Sequence, residues 1–400
     1  MLKNIQHRIT IKVILISLII SSFSSFHAVS QTKKIISTRP FGDGVNHWYN
    51  IPDSHNIVNP IVNQPKYDES DYTKIADNIL YFQRDNGGWP KNYDMRAILT
   101  PEQINDVVKT KSDSHTTFDN ATTYTHIYYL AQVYSETKTE KYKDGCLKGI
   151  DFIFKAQYAN GGWPQYFPLE EGYSRHITFN DGAYMGVMNL LKKMITTDPS
   201  FTFLDAKTKR KAAASYRKGL DCILKMQIKE QGKLTAWCQQ HDEVTLLPAW
   251  ARKFEPPSIC NAESSEIVLF LMDIDNPDEK IIKSIQSAVK WFSDSKIYNT
   301  RIETFDAPAF DSKFHARPVT IDRRVVIDST AIPIWTRYYE LISERPLFCD
   351  RDSMYLYSLA DVGRERRVGY AWYTYNPDKT LKRYPEWQKK WAPENDVLKP

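Results

Sequence analysis

The sequence predicts an all-α fold, an incomplete α/α toroid of the (α/α)3 type with long irregular loops and minor β content. Three observations favour it: a degenerate helix–turn–tryptophan repeat, a second class of helix start between its copies, and the lack of a full set of βαβ units. Helices repeated at this spacing cannot each bury an apolar face alone, so they must pack side by side. Because a full set of βαβ units is absent, the sequence argues against a TIM barrel or a Rossmann fold.

The repeat begins at LYFQRDNGGWPKNY (residues 80–93), which matches FKAQYANGGWPQYF (154–167). A weaker third copy is LKMQIKEQGKLTAWCQQHD (224–242), and the glutamines at positions 83, 157 and 227 are 74 and 70 residues apart. Each copy indicates a helix, a glycine-bearing turn and then a tryptophan. The first of these helices is predicted to run from Asp71 to the stop signal Asn86–Gly88.

Four other segments open with small polar residues that can cap a helix, and then become apolar. They are TTFDNATTYTHIYYLAQVY (116–134), HITFNDGAYMGVMNLLKKM (176–194), PSICNAESSEIVLFLMDI (257–274) and VVIDSTAIPIWTRYYELI (325–342). We predict a helix start in each, so that one rim of the toroid carries Asp119–Asn120, Asn180–Asp181, Asn261, Glu263 and Asp328. For any single one of these residues, N-capping is the simplest role.

The first 30 residues are typical of a cleaved export signal. A basic start is followed by the apolar run ITIKVILISLIISSF, and Ala28 and Ser30 have the spacing that a signal peptidase needs. The uninterrupted apolar run Val13–Ile20 is short for a bilayer span. We therefore expect a secreted or periplasmic protein that is not held in a membrane after signal cleavage.

Composition and charge indicate the domain limits and argue against one class of function. Residues 31–70 contain several prolines and glycines without a sustained period, so we predict an irregular N-terminal segment followed by one domain over residues 71–400. The formal charge of +5 includes Lys3, Arg8 and Lys12 of the signal, and a nearly neutral mature chain is a poor candidate for nucleic-acid binding.

Five cysteines without a CxxC pair indicate buried thiols with one or two bridges at most. We expect a monomer.

Asp119 and Asp181 are the candidate ligands of a cation. Each lies beside a phenylalanine and an asparagine, at what we interpret as matching points of adjacent repeats. Carboxylates that converge from separate helices suit a hard ion such as Ca²⁺ better than zinc. The same pair could instead be the acid and base of a glycosidase, and the spacing gives no distance with which to decide.

Several arginines and histidines are candidates for binding or catalysis. Arg252 lies between Trp250 and Phe254 in the loop WCQQHDEVTLLPAWARKFEPPS (237–258). Arg337 is placed nine residues into the helix predicted from Asp328, and guanidinium groups are natural partners of carboxylate ligands. The other candidates are Arg351, His176 and His241.

These motifs together resemble the pectate lyases of polysaccharide lyase family 10. The resemblance rests on NGGWP (twice), FDNATT, TFNDGA, WCQQHD, ARKFEPPS, WTRYYEL with ERPLFCDRD, and ERRVGYAWY, and it covers about residues 70 to 380. It implies cleavage of α-1,4-linked polygalacturonate by β-elimination, which yields 4,5-unsaturated oligogalacturonides.

The resemblance also implies roles for individual residues. It implies that Arg252 is the base that removes the C5 proton, and that Asp119 and Asp181 hold Ca²⁺. Asn120 would support the ion or the sugar. Substrate binding would fall to Arg337 and Arg351, which would grip uronate carboxylates, and we add His176 and His241 as candidates.

Two other functions stay open at this point. One is a glycoside hydrolase on the same toroid with Asp119 and Asp181 as acid and base, and the other is a pectin-binding protein without turnover. Because free arginine is protonated at ordinary pH, an arginine base predicts activity that rises well above pH 7.

Overall fold

Helices alternate with loops that carry short strands in the computed structural model of this chain. It describes residues 34–51, 53, 56–312 and 317–399, so the predicted export signal lies outside the described residues. Ile35–Pro400 forms one compact unit. Among the helices described, none combines the length and the apolar character needed to cross a bilayer.

The helices form two series that pack against each other. In chain order they are α1 Gly42–Asn50, α2 Tyr72–Phe82, α3 Pro101–Lys109, α4 Tyr124–Thr137, α5 Glu140–Ala156, α6 Ala183–Ile195, α7 Ala206–Met226, α8 Asn261–Met272, α9 Glu279–Asp294, α10 Arg364–Gly369 and α11 Asn376–Trp391. The inner series is α4, α6, α8 and α11, each packed on the next, and α2, α5, α7 and α9 form the outer series against it. Helix α8 is buried along most of its length, and its second half (residues 267–272) is entirely apolar, as suits an inner helix. This arrangement agrees with the predicted α/α architecture.

The strands are mostly short and lie in the connections. They are β1 Ile177–Thr178, β2 Lys229–Glu230, β3 Lys233–Leu234, β4 Gln240–His241, β5 Ile259–Cys260, β6 Thr300–Phe310, β7 Val319–Ile327, β8 Trp335–Thr336, β9 Tyr338–Tyr339, β10 Pro346–Cys349, β11 Tyr355–Leu356 and β12 Tyr373–Thr374. The antiparallel pair β6–β7 is the longest of these. The pairs β1–β4 and β8–β12, with the sheet β11–β10–β9–β5, tie together the loops that precede the inner helices.

The helix–turn–tryptophan repeat is confirmed, and its tryptophan bond recurs a fourth time at Trp335, which follows the β6–β7 hairpin instead of a short turn. All four indole rings are fully buried. Each indole N–H donates to a carbonyl of the preceding outer helix: Trp89 to Ile79 (2.8 Å), Trp163 to Ile153 (3.0 Å), Trp237 to Ile223 (2.8 Å) and Trp335 to Phe292 (2.9 Å). Each tryptophan therefore fixes the segment that follows its turn to the outer helix before it.

The repeated glutamines join neighbouring outer helices. The side-chain amide of Gln227 donates to the carbonyls of Thr235 (2.8 Å) and of Ser284 on α9 (3.0 Å). Gln83 and Gln157 each bond in the same way to their own turn and to the next outer helix. The spacing of 74 and 70 residues thus reflects one structural joint made three times.

Replacing Gln227 with leucine is expected to destabilise the fold. Two buried carbonyls lose their donor, which costs about 3 kcal/mol. The free energy of unfolding, measured with urea, should fall by that amount. The exposed Lys229, two residues away, offers a control in Lys229→Leu, and equal stability losses in the two variants would contradict the role of the joint.

One predicted helix boundary and one predicted helix are wrong. Helix α2 ends at Phe82, before the glycine pair, because Gln83 adopts an extended backbone and the N–H of Arg84 bonds to the carbonyl of Gly88. The helix predicted at 325–342 does not form. Strand β7 continues to Ile327, a turn follows, and Pro333 interrupts any helical hydrogen bonding ahead of β8 and β9. Helix α11 takes the place of the fourth inner helix.

The N-terminal segment is more ordered than predicted. Residues Gly42–Asn50 form α1, and both Phe41 and Trp48 are buried in the main core. The indole of Trp48 also donates to the carbonyl of Val58 (2.8 Å). The prediction of an irregular segment over 31–70 is therefore wrong for the helical part. The five cysteines are buried and unbridged, which agrees with the prediction of buried thiols.

Candidate active site

The loops that precede the inner helices form a rim built from repeated backbone bonds. The N–H groups of Thr117, Thr178 and Cys260 donate to the carbonyls of the repeat tryptophans Trp89, Trp163 and Trp237. The N–H groups of Phe118, Phe179 and Asn261 donate to the next repeat, at Gln165, Gln239 and Arg337. Each motif is thereby held between its own repeat and the following one, so the motif side chains meet along one rim.

These bonds correct the predicted register of the two aspartates. Phe118 and Phe179 are equivalent, so Asp119 corresponds to Asn180, and Asn120 corresponds to Asp181. The backbone agrees, because Asn120 (φ 49°) and Asp181 (φ 50°) share the left-handed conformation that Asn and Asp tolerate best. The two carboxylates therefore occupy neighbouring rather than matching positions.

Neither aspartate caps a helix. Helix α6 has Gly182 at its N-cap and α4 has Thr123, whereas the aspartates whose side chains do cap helices lie elsewhere, as Asp278 does on α9. The simplest structural role for Asp119 and Asp181 is therefore excluded, and their carboxylates are left for the site.

Asp119 is buried, and one of its two carboxylate oxygens accepts a hydrogen bond. It is 3% exposed, and its Oδ2 accepts a hydrogen bond from Nζ of Lys91 at 2.7 Å. Burial opposes ionisation, but the Lys91 ammonium holds the pKa of Asp119 below its usual range. Its Oδ1 is buried and accepts no hydrogen bond from the described residues. One oxygen of this ionised carboxylate is therefore left without a donor.

Asp181 is exposed to solvent on the rim, and within the described chain it forms no salt bridge. Its Oδ2 accepts from the side-chain amide of Asn180 at 2.6 Å. Desolvation by the surrounding protein and then the charge of Asp119 raise the pKa of Asp181 to about 8, against the opposing charge of Arg337. The two carboxylates are thus close enough to repel each other, which is the situation that a bound cation relieves.

Arg337 lies between β8 and β9 rather than on a helix, and it holds the rim together. Its Nη2 donates to Oδ1 of Asn180 (2.8 Å) and to Oε1 of Glu263 (2.7 Å). The side chain is only 14% exposed. The structure therefore gives Arg337 a supporting place behind Asp181, with its Nη2 engaged by protein groups instead of open to a uronate.

Arg252 stands on the loop between β4 and β5 and is held by Glu255. Its Nε and Nη2 donate to the two carboxylate oxygens at 2.8 and 2.5 Å, and its backbone N–H donates to Oε2 at 3.0 Å. Burial disfavours the charge, but Glu255 raises the pKa of Arg252 well above its usual value. The Arg252 side chain is 45% exposed, and its charge lowers the pKa of both Asp119 and Asp181. Arg252 therefore faces the same site as the two carboxylates.

A pocket of about 500 Å³ opens beside Arg252. Its lining includes Tyr173, Phe254 and Arg351. Arg351 lies over the ring of Phe254 (5.2 Å) and donates to Glu365 (2.9 Å). Arg351 thus shares a pocket with Arg252, as a residue that binds an anionic substrate would.

The two predicted histidines have different surroundings. His241 is fully buried, its Nε2 accepts from the N–H of Cys238, and its Nδ1 faces the carbonyl of Leu246 at 2.9 Å. Burial lowers the pKa of His241 to about 4. Both ring nitrogens of His241 are thus engaged within its own loop, and a role of His241 in substrate binding stays a prediction. His176 is half-buried against Glu243 (2.9 Å) and is placed at the edge of the same loop.

Helix α1 contributes a third carboxylate that the sequence reading missed. Asp43 pairs with His47 (3.7 Å), and its charge raises the pKa of Asp181. The helix rests directly on the motif, since a Cβ at Gly44 would lie 3.6 Å from the carbonyl oxygen of Asn120. Asn120 in turn donates to Oδ1 of Asn92 at 2.8 Å.

Lys91 was also missed, although the sequence holds a signal for it. The residues two places after the repeat tryptophans are Lys91, Gln165, Gln239 and Arg337, and they reach the rim in each copy. Aligning the four tryptophans would have placed Lys91 beside the first aspartate.

Comparison with known proteins identifies the family. A sequence model described as pectic acid lyase matches residues 83–381, about three quarters of the chain. The chain belongs to the pectic acid lyase family. It is similar to the solved family 10 polysaccharide lyase of Cellvibrio cellulosa, at 26% identity and a TM-score of 0.67, over 89% of this chain and 99% of that one. A search of curated proteins found no match.

A second solved structure is an aspartate-to-alanine mutant of the Cellvibrio cellulosa lyase in complex with trigalacturonic acid. It is similar to this chain at 25% identity and a TM-score of 0.68, over 90% of this chain and 100% of that one. The predictions of family 10, of the helical toroid and of a pectate lyase enzyme are thereby confirmed.

Proposed function

We propose that this pectate lyase is secreted and cleaves α-1,4-linked polygalacturonate by β-elimination, with Ca²⁺ as cofactor and Arg252 as the base. The observation that carries the proposal is that Asp119, Asp181 and Arg252 share one site, since the charge of Arg252 lowers the pKa of both carboxyl groups and the charge of Asp119 raises that of Asp181. The trigalacturonic acid bound by the Cellvibrio mutant supports a substrate of linked galacturonates.

The rim fits a hard cation. Oδ1 of Asp119 is buried without a donor among the described residues, and desolvation together with the negative charge of Asp119 raises the pKa of Asp181. Both offer carboxylate oxygens, the ligand type that Ca²⁺ prefers, and no thiolate or imidazole stands in direct contact with them among the described residues. Asp119 and Asp181 would hold the ion, with Asn120 as support. When bound, Ca²⁺ would neutralise the uronate carboxylate and so make the adjacent C5 proton more acidic.

Arg252 would take that proton. Its guanidine must be neutral to accept it, and Glu255 keeps the neutral form rare. The same ion pair stabilises the guanidinium that forms as the proton moves, so the base is strong when it is available. Loss of the C4–O bond completes the elimination and leaves the double bond between C4 and C5.

Cationic side chains around the site would bind the uronate carboxylates. Arg351 lies in the pocket beside Arg252, and Lys91 is adjacent to Asp119. Guanidinium and ammonium groups suit an anionic chain, and Tyr173 and Phe254 supply apolar surface against sugar rings. The predicted export signal supports action on a polymer that lies outside the cell.

The activity assay separates the proposed function from its alternatives. Incubating the mature protein with polygalacturonate and Ca²⁺ is expected to produce ultraviolet absorbance from the C4–C5 double bond, and a chelator is expected to stop it. Hydrolysis is worth testing because the site pushes the pKa values of Asp119 and Asp181 apart, as acid–base pairs require. Reducing ends without absorbance would show a hydrolase, and binding without either product would show a pectin-binding protein.

A further inference from the structure

We propose that Tyr370 is a positioning residue that connects the two halves of the site. One half is Arg252 with Glu255, and the other, the cation half, is Asp181 with Arg337. The inference rests on the proposed function, since it assigns Tyr370 a task in the same reaction. Tyr370 lies between α10 and β12, in the C-terminal part of the chain, where it reaches both halves at once. Its hydroxyl serves one half and its ring serves the other.

The hydroxyl acts on the base. The O–H of Tyr370 donates to Oε1 of Glu255 at 2.8 Å, and that oxygen also accepts from Nη2 of Arg252. Glu255 is buried, so its carboxylate depends on these donors for its charge and its orientation. The Tyr370 hydroxyl therefore fixes the carboxylate that aims the guanidinium.

The ring acts on the cation half. The guanidinium of Arg337 lies over the Tyr370 ring at 4.7 Å from the ring centroid. Arg337 donates to Asn180, whose amide donates to Asp181. A cation–π contact to a desolvated guanidinium is attractive, and it adds to the ion pair with Glu263 in holding Arg337 in this position. The ring thus supports Asp181 through two intermediates.

A contact between two tyrosine hydroxyls adds to the connection. The hydroxyl oxygen of Tyr338 lies against that of Tyr370, and the Tyr338 O–H donates to Oε1 of Gln239 at 2.7 Å. Gln239 lies beside Nη2 of Arg337 at 3.5 Å. A continuous chain of contacts therefore connects Arg252 with Asp181. Tyr370 is the residue in this chain that contacts both Glu255, the partner of Arg252, and Arg337.

Two substitutions separate the two tasks. Tyr370→Phe removes the hydroxyl and keeps the ring, so kcat on polygalacturonate is expected to fall about tenfold while KM and the calorimetric Ca²⁺ affinity stay within about twofold. Tyr370→Leu removes both contacts, so kcat is expected to fall further and the Ca²⁺ affinity to weaken about fivefold. Circular dichroism would verify that both variants are folded.

A matched control exists on the surface. Tyr357 donates to Glu340 (2.8 Å) and has the Arg345 guanidinium over its ring (3.9 Å), which is the same combination of groups outside the site. Tyr357→Phe is expected to retain wild-type kinetics. Equal losses in Tyr357→Phe and Tyr370→Phe, a wild-type kcat in Tyr370→Phe, or an unchanged Ca²⁺ affinity in Tyr370→Leu would each overturn the proposal.

Failure of the proposed function would look different. If the wild-type protein did not bind Ca²⁺, or if Arg252→Ala kept its full rate, the assignment of cofactor or base would be wrong whatever Tyr370 does. If the wild-type protein binds Ca²⁺, Arg252→Ala loses its rate and the Tyr370 variants behave like the wild type, only the positioning role is wrong.

Discussion

Replacing Arg252 with alanine is expected to lower kcat on polygalacturonate by about a thousandfold. A general base contributes roughly two to four orders of magnitude to the rate of a proton abstraction. Glu255 is the ion-pair partner of Arg252 and is not proposed as a second base. The absorbance of the unsaturated product gives the rate directly. The Ca²⁺ affinity, measured by calorimetry, should change little because Arg252 is not among the proposed ligands.

Arg324 provides the control for this substitution. It donates to Glu303 and lies over the ring of Phe305 at 5.0 Å, so it reproduces the ion pair and the aromatic contact of Arg252 on the β6–β7 hairpin. Arg324→Ala is expected to keep the wild-type rate. A fall in rate of similar size in Arg324→Ala would mean that the loss in Arg252→Ala is not due to the base.

The pH profile tests the identity of the base. Below the pKa of Arg252 the neutral fraction grows about tenfold with each pH unit, so kcat should rise well above pH 7. Arg252→Lys replaces the guanidine with a group of lower pKa, which should move the rising limb to lower pH and reduce the limiting rate. A lysine variant with nearly full rate at all pH values would contradict the proposed role.

The helical architecture and most of the rim could be predicted because they repeat. The tryptophan and glutamine joints recur with one geometry, and each copy is visible in a single sequence. The fourth tryptophan bond was missed because Pro333 and the β-branched residues before it were interpreted as a helix start. The start of α1 was missed because glycine and proline are turn signals, while its burial depends on contacts with residues far along the chain.

The arginine assignments show which part of a site sequence alone can supply. The motif around Arg252 directs attention to a loop whose guanidinium charge lowers the pKa of Asp119 and of Asp181, while the role of Arg252 as base stays a prediction. Arg337 lies near the rim, as predicted, but on a strand connection instead of a helix. Nothing in the local sequence predicts that its Nη2 donates to Asn180 and Glu263. Pairing between distant charges is a tertiary property, and Lys91 with Asp119 is another instance.

Replacing Asp181 with asparagine is expected to weaken Ca²⁺ binding at least about a hundredfold and to abolish most lyase activity. Asparagine keeps the shape of the side chain and removes the charge that the ion would neutralise. Asp181 is the sharper choice than Asp119, whose removal would also leave the Lys91 ammonium without its partner. Calorimetric titration with Ca²⁺ measures the first effect, and the absorbance assay measures the second.

The control for this change is Asp278→Asn on α9. Asp278 caps its helix by accepting from the N–H of Ile281 at 2.9 Å, and asparagine caps a helix about as well as aspartate. This variant should keep both the cation affinity and the rate. If Asp181→Asn lost activity and still bound Ca²⁺ like the wild type, Asp181 would act on protons rather than on the ion. That result would favour the acid–base pair of a hydrolase, which the double-bond absorbance would then have to exclude.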